Sequence, residues 1–290
     1  MNLNPAPLDK LDYFAALVRE DRNLALFEAA LSLAQDAEEP IDLAATLAEF
    51  DQLANRLQQR LPSDASRLQK LHCLLRFFYH DLGFAANLND FYHPDNSYLH
   101  RVMATRRGIP ISLAVLFLEF AQHISLPVQG VSFPGHFLMK LDLPSGEVVL
   151  DPLTGQSLGR EQLEHLLLNT LDMPQGDLSL NEIPSDELKR HLQACNGRQI
   201  LIRMLQNLKL IFLEHEDWPK LLNVLQRLLI LQPDDLLTRR DRGFTWAQLE
   251  CPQAAVQDLQ DYVEQRPHGL DAELINAMLP ELRQAAARFN

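Results

Sequence analysis

The chain has 290 residues, 47% of them hydrophobic and 22% charged, with a formal net charge of −13 at pH 7. That composition suits a globular protein with room for two domains or three small subdomains. The acidic balance, with no compensating block of Lys and Arg, disfavours nucleic acid and anionic membrane surfaces as partners. The first residues, MNLNPAPLDKLDYF, lack the basic start and apolar stretch of a signal peptide, and no run approaches the roughly 18 apolar residues of a membrane span. Cys73, Cys195 and Cys251 lie far apart with no CxxC pair, which predicts neither a disulfide framework nor a zinc site and points to the reducing cytoplasm.

Residues 1–93 read as a helical N-terminal region. LDYFAALVRE, LALFEAALSLAQDAEE and AATLAEFDQLANRLQQRL repeat their apolar residues at three- and four-residue spacing. Pro40 and Pro62 punctuate these helices. LQKLHCLLRFFYHDLGF is more apolar, which predicts a helix buried on most sides with Gly83 as its stop.

Residues 94–180 change character. Ile111 to Gln122 is almost entirely apolar, the pattern of a helix buried all round. VQGVSF, HFLMKLDL and EVVLD follow as short strand-like runs separated by FPG and PSG turns. A buried helix on a small antiparallel sheet is an α+β arrangement within a mainly helical chain.

Residues 188–290 are helical again, with a period. LLNVLQRLLILQPDD and AAVQDLQDYVEQRPHG align with Pro233 and Pro267 34 residues apart, the tetratricopeptide spacing. Gly243 then falls at a small position, Trp246 at an aromatic one, and Ala255 and Leu259 at the small and bulky positions of the next helix. One period earlier Phe212, Leu221 and Leu225 match, while Lys209 stands where a small residue is usual. Two repeats are fewer than the roughly three such arrays need, so further cover from the middle region is expected.

The series GIP, then ISLPVQGVSF, then GHF, then LDP resembles the transglutaminase-like core of thiol enzymes. The resemblance matches Gly108, the Ser125-Leu126-Pro127 turn, His136 and the Asp151-Pro152 pair to that superfamily's motifs, and it sets Pro110 where the nucleophilic cysteine belongs. More narrowly, GFAANLNDFYHPDNSYLHRVMATRRGIPISLAVLFLEFAQ with FPGHFLMK and LDP is similar to the bacterial SirB-type proteins. That resemblance implies a degenerate transglutaminase-like domain followed by tetratricopeptide helices.

A thiol site needs an imidazole to draw off the thiol proton and a carboxylate to orient the imidazole. His136 and Asp151 supply the last two if their strands pair around the PSG turn, as opposite or diagonal neighbours close enough for contact. Pro110 has no nucleophilic side chain, and its missing N–H suits the first turn of the following helix. Ser112, about 200° around that helix, is expected to face away from His136. Cys73 reads as a small core hydrophobe. His72, His80, His93 and His100 show no metal-ligand spacing, and no cofactor is expected.

NDFYHPDNSYLHR is a polar, aromatic loop leading into the site. Its functional reading makes Tyr92, Asn96, Arg101 and Arg107 a rim for an acidic peptide or protein partner; its plainer reading is capping and turns. The sequence thus predicts a non-catalytic binding or regulatory protein that recruits a protein or peptide partner through its repeat helices, a pseudoenzyme whose His136–Asp151 dyad is a relic. The competing reading is a peptide-amide hydrolase or acyltransferase using His136 and Asp151 with a relocated nucleophile.

Overall fold

The computed structural model describes residues 9–37, 41–170 and 183–288; Pro40 and the expected core boundary near residue 180 lie outside them. The chain divides into two compact units, one of Glu20–Gln35 with Glu39–Met204, the other of Met1–Arg19, Asp36–Glu38 and Leu205–Asn290.

The first of these is built around one helix. Its helices α2 (Leu26–Ser32), α3 (Leu43–Gln58), α4 (Arg67–Leu75) and α5 (Leu99–Thr105) precede α6, Pro110–His123. Nine residues of α6 are buried, including Phe117 and Phe120, as the uninterrupted apolar run requires. Phe50 stacks at 4.4 Å from both Phe27 and Phe120, and Phe78 at 4.4 Å from Phe84, so the N-terminal helices share the aromatic core of α6. Ser66 and Gln69 close a reciprocal capping box on α4. That helix runs on as a π-helical segment, Arg76–Asp81, and the chain turns out at Gly83 with φ +72°.

Two-residue strands β1 (Ala85–Ala86) and β2 (Arg107–Gly108) pair in parallel, which the sequence patterns did not suggest. The main sheet is antiparallel in the order β3 (Gln129–Val131), β4 (Leu138–Leu143), β5 (Gly146–Leu150), β6 (Ser157–Leu158). Leu143 pairs with Gly146 across the Pro144-Ser145 turn, as the PSG signal predicts. Period-two alternation then sends Leu138 and Val149 to one face, where α7 (Arg160–Thr170) and α8 (Ser185–His191) cover them with Leu163, Leu167 and Leu188.

The second unit holds the repeats. The helix α9 (Gly197–Glu214) begins in the first unit and continues into this one, followed by α10 (Trp218–Leu231), α11 (Leu236–Gln248), α12 (Pro252–Gln265) and α13 (Ala272–Arg288). Gly243 is buried where a Cβ would stand 2.7 Å from Leu259 Cγ, so α11 and α12 approach through the small residue the repeat period assigned there. Ala255 and Leu259 are fully buried, and Lys209, at the other small position, instead pairs with Asp241. Cover for α10 comes from the first helix, α1 (Lys10–Leu17). Phe14 is fully buried beneath the Arg227 guanidinium at 4.9 Å, and Arg227 donates to Asp36 at 2.7 Å.

Candidate functional site

Helix α6 starts as its sequence dictates. Pro110 occupies the first turn, where a missing N–H costs no hydrogen bond. Ser112 is fully buried; its hydroxyl accepts from the Ile109 N–H at 3.1 Å and donates to the Asn96 carbonyl at 2.6 Å. That hydroxyl therefore ties the preceding loop to the helix start. At the other end Ser125, with φ +53°, takes the left-handed position of a Schellman closure, and the Leu126 N–H returns to the Ala121 carbonyl at 2.8 Å.

His136 does not lie in a strand, as the run HFLMKLDL suggests, but in the Pro-Gly turn before β4. Its N–H donates to the Phe133 carbonyl at 3.0 Å, and Gly135 has φ +67°. A turn with Pro second and Gly third needs that positive φ, which the FPGH sequence supplies. Thr170, at the end of α7, donates to the Pro134 carbonyl at 3.2 Å and packs on Gly135.

The hairpin register ends at the Met139–Leu150 pair, and Asp151 follows directly on it. Its carboxylate is committed elsewhere. One oxygen accepts from the Leu153 N–H at 2.9 Å and the other from the Thr154 hydroxyl at 3.0 Å, an Asx-type closure of the DPLTG turn. Among the described residues no hydrogen bond or ion pair joins Asp151 to the His136 ring; the two interact through space. Burial pushes the half-buried imidazole below its ordinary pKa, the Asp151 charge opposes that, and the Arg203 charge adds to it. The ring is therefore held neutral at neutral pH.

The thiols lie in other settings. Cys73 sits on α4 beside Arg60, Asp81 and Arg76, and burial raises its pKa. Cys195 packs near Gly130, and burial raises its pKa to about 11 despite backbone N–H donors. Cys251 is exposed just ahead of α12. A thiol raised in this way is a poor nucleophile, because the thiolate is the reactive species. Among the described residues no group of three or more His, Cys, Asp or Glu is arranged to hold a metal ion.

In the loop before α5, Tyr92 is 73% exposed and meets Phe91 edge-on at 5.5 Å. Asn96 is buried instead, donating to the Asp90 and Phe91 carbonyls and accepting from Asn87, so it positions the loop and does not face solvent. Arg101 pairs with Asp95 at 2.9 Å. Arg107 is exposed, its guanidinium on the Gly83 and Arg106 carbonyls at 2.9 Å. Tyr92 and Arg107 are thus open to a partner.

Sequence reasoning missed Arg203, Thr170 and Tyr79. Arg203 could have been flagged as a cation inside the apolar run ILIRML. The Tyr79 hydroxyl donates to the Pro152 carbonyl at 2.8 Å, a contact across 73 residues of chain with no local signal.

A buried helix packed with a small antiparallel sheet, and paired helices of tetratricopeptide period, define a transglutaminase-like core and a repeat segment. Residues 44–206 match the transglutaminase-like superfamily and residues 208–280 the tetratricopeptide repeat. The chain belongs to the transglutaminase-like superfamily and to the family of UPF0162 proteins. It is 33% identical to a UPF0162 protein of Xylella fastidiosa strain Temecula1, over 91% of this chain and 92% of that one. It is 29% identical to YchA of Escherichia coli K12 and, equally, to SirB1 of Salmonella typhimurium, over 80% of this chain and 82% of each. No solved structure matches the chain.

Proposed function

We propose that this chain is a non-catalytic binding or regulatory protein of the cytoplasm, recruiting a protein partner through its repeat helices, with a core that keeps the fold of a thiol enzyme without its nucleophile. The observation that carries the reading is Pro110 in the first turn of α6, the position that the resemblance to the superfamily aligns with its cysteine. The Ser112 hydroxyl spent on backbone groups and the raised thiols of Cys73 and Cys195 support it, because none offers a ready substitute. Exposed Leu210, Leu213 and Leu237 lie on the two helices that the Lys209–Asp241 pair ties together, and such faces of repeat helices suit a partner helix or peptide. No helix among the described residues is long and apolar enough to cross a membrane.

The test is alkylation of the full chain by iodoacetamide as a function of pH, with and without His136→Ala. The reading predicts slow labelling of Cys73 and Cys195, unchanged by the substitution. Rapid labelling of one cysteine at neutral pH, slowed by His136→Ala, would make the protein a thiol enzyme with a relocated nucleophile.

A further inference from the structure

Residues 81–84, where the chain leaves its π-helical stretch, are touched by three guanidinium groups. Arg60 pairs with Asp81 and lies over the Phe77 ring at 4.7 Å. Arg107 donates to the Gly83 carbonyl at 2.9 Å, and Arg106 lies over the Phe84 ring at 4.9 Å. A fourth, Arg56, stands on α3 seven residues after Glu49, whose carboxylate is 3.8 Å from Arg106. Seven residues are close to two helical turns, so Glu49 and Arg56 share one face of α3. All of these residues belong to the first unit.

These cations outnumber the carboxylates that hold them. Arg56 and Arg107 are exposed, and among the described residues neither forms an ion pair; the Arg107 guanidinium rests on backbone carbonyls alone. Arg106 has only the Glu49 carboxylate, which is itself more than half exposed. Its Nη1 is enclosed with no hydrogen-bond partner among the described residues, a costly state for a guanidinium donor. Its backbone is left-handed, φ +59°, at the closing position of α5, where Gly or Asn would carry less strain. Four guanidinium groups thus share two carboxylates, on a chain whose net charge is −13. The buried rings of Phe77 and Phe84 support two of them by cation–π contact at the edge of the aromatic core.

We propose that Arg56, Arg60, Arg106 and Arg107 form a docking surface for an acidic segment of a partner polypeptide. Guanidinium groups take carboxylates in a bidentate fork, and a run of Asp or Glu brings several to a compact basic island at once. A nucleic-acid strand fits less well. It would run past the island onto a surface of the opposite balance, and the buried rings offer its bases no face to stack on. Glu49 acts here as an internal competitor, holding Arg106 where a partner's carboxylate would sit. The surface uses none of the residues on which the non-catalytic reading rests, so the two stand or fall separately.

The experiment follows the fluorescence anisotropy of fluorescein-labelled hexaglutamate titrated with the full chain, at about 50 mM and about 300 mM NaCl. Saturable binding is expected at the lower salt, weakening about tenfold at the higher, because exposed charges are screened. Arg56→Glu is expected to weaken binding about tenfold, and Lys189→Glu, the same charge change at an exposed residue of α8, by less than about twofold. Glu49→Gln is expected to tighten binding about threefold by freeing Arg106. Glu49 and Arg56 are exposed, so both variants should keep the fold, which circular dichroism checks. Absence of saturable binding overturns the surface, and so does equal weakening by Arg56→Glu and Lys189→Glu. An affinity in Glu49→Gln no tighter than that of the unsubstituted chain removes Arg106 from it. Single-stranded hexathymidylate binding as tightly as hexaglutamate overturns the assignment to a polypeptide.

Discussion

The Tyr79 hydroxyl donates to the Pro152 carbonyl at 2.8 Å, and the same ring packs directly on Gly155, φ +71°. The turn that holds Asp151 and Pro152 is thus clamped by a side chain 73 residues away along the chain. Tyr79→Phe removes one hydrogen bond and should cost about 1 kcal/mol. Gly155→Ala places a methyl group into the ring and strains a left-handed residue, and should cost about 3 kcal/mol. Urea denaturation followed by circular dichroism orders the two; equal losses would mean the clamp is not built on this close approach.

Arg227, fully buried, and Asp36 form an ion pair that ties Asp36 to α10, with Lys10 adding a second contact to Asp36 at 2.9 Å. Asp36→Asn leaves a buried guanidinium without its charge partner and should destabilise that unit by about 3–5 kcal/mol. Asp36→Leu combined with Arg227→Met should recover most of that loss, because two apolar side chains need no partner. Both tryptophans, Trp218 and Trp246, lie in the same unit, so their fluorescence in a urea titration reports it directly.

Gly243→Ala would help an exposed helix by about 1 kcal/mol. Here the sign should reverse. The new Cβ meets Leu259 Cγ at 2.7 Å and Asp258 Cβ at 3.2 Å, in the contact that Arg242 and Asp258 also bridge at 2.7 Å. A net loss of about 1–3 kcal/mol is expected from the same fluorescence titration. A gain would mean that α11 and α12 are not in close approach at this residue.

Cys195 gives a pH signature. Its folded pKa is raised from 9.0 to about 11 by burial, so the unfolded thiol ionises first. Its contribution to stability is fully present below pH 9.0 and is lost as pH climbs through about 11. Denaturation midpoints of Cys195→Ala should therefore fall less steeply over that window than those of the unsubstituted chain; parallel slopes would contradict the burial of this thiol.

What the sequence made legible was local. The apolar run of α6, Pro110 in its first turn, the Pro144-Ser145 hairpin and the close approach at Gly243 all follow from residue type and spacing over a few turns. The His136 turn was half legible: FPG was read as a turn, yet the strand was drawn to include the histidine. The hairpin before Asp151 was read from its PSG turn, but the Thr154 that engages the Asp151 carboxylate was not weighed, although D-x-x-T is a recognisable turn-closing pattern. Tyr79 on Pro152, Asp36 on Arg227 and Asn96 as a buried organiser were illegible because their partners are distant in sequence or are backbone groups, which leave no trace in periodicity.

The measurement that bears most directly on the proposed loss of the nucleophile is the reactivity of a cysteine introduced at position 110. Pro110→Cys in the full chain is alkylated with iodoacetamide across a pH series, beside Pro110→Cys combined with His136→Ala. A thiol in the first turn of α6 with a neutral imidazole before it should react faster than the native three, with a midpoint below the ordinary cysteine range of about 8.5, and His136→Ala should abolish that advantage. A cysteine at 110 that reacts no faster than Cys73, or one indifferent to His136, would mean that this position is not the superfamily's nucleophile slot, and the account of a core that lost its nucleophile there would fail.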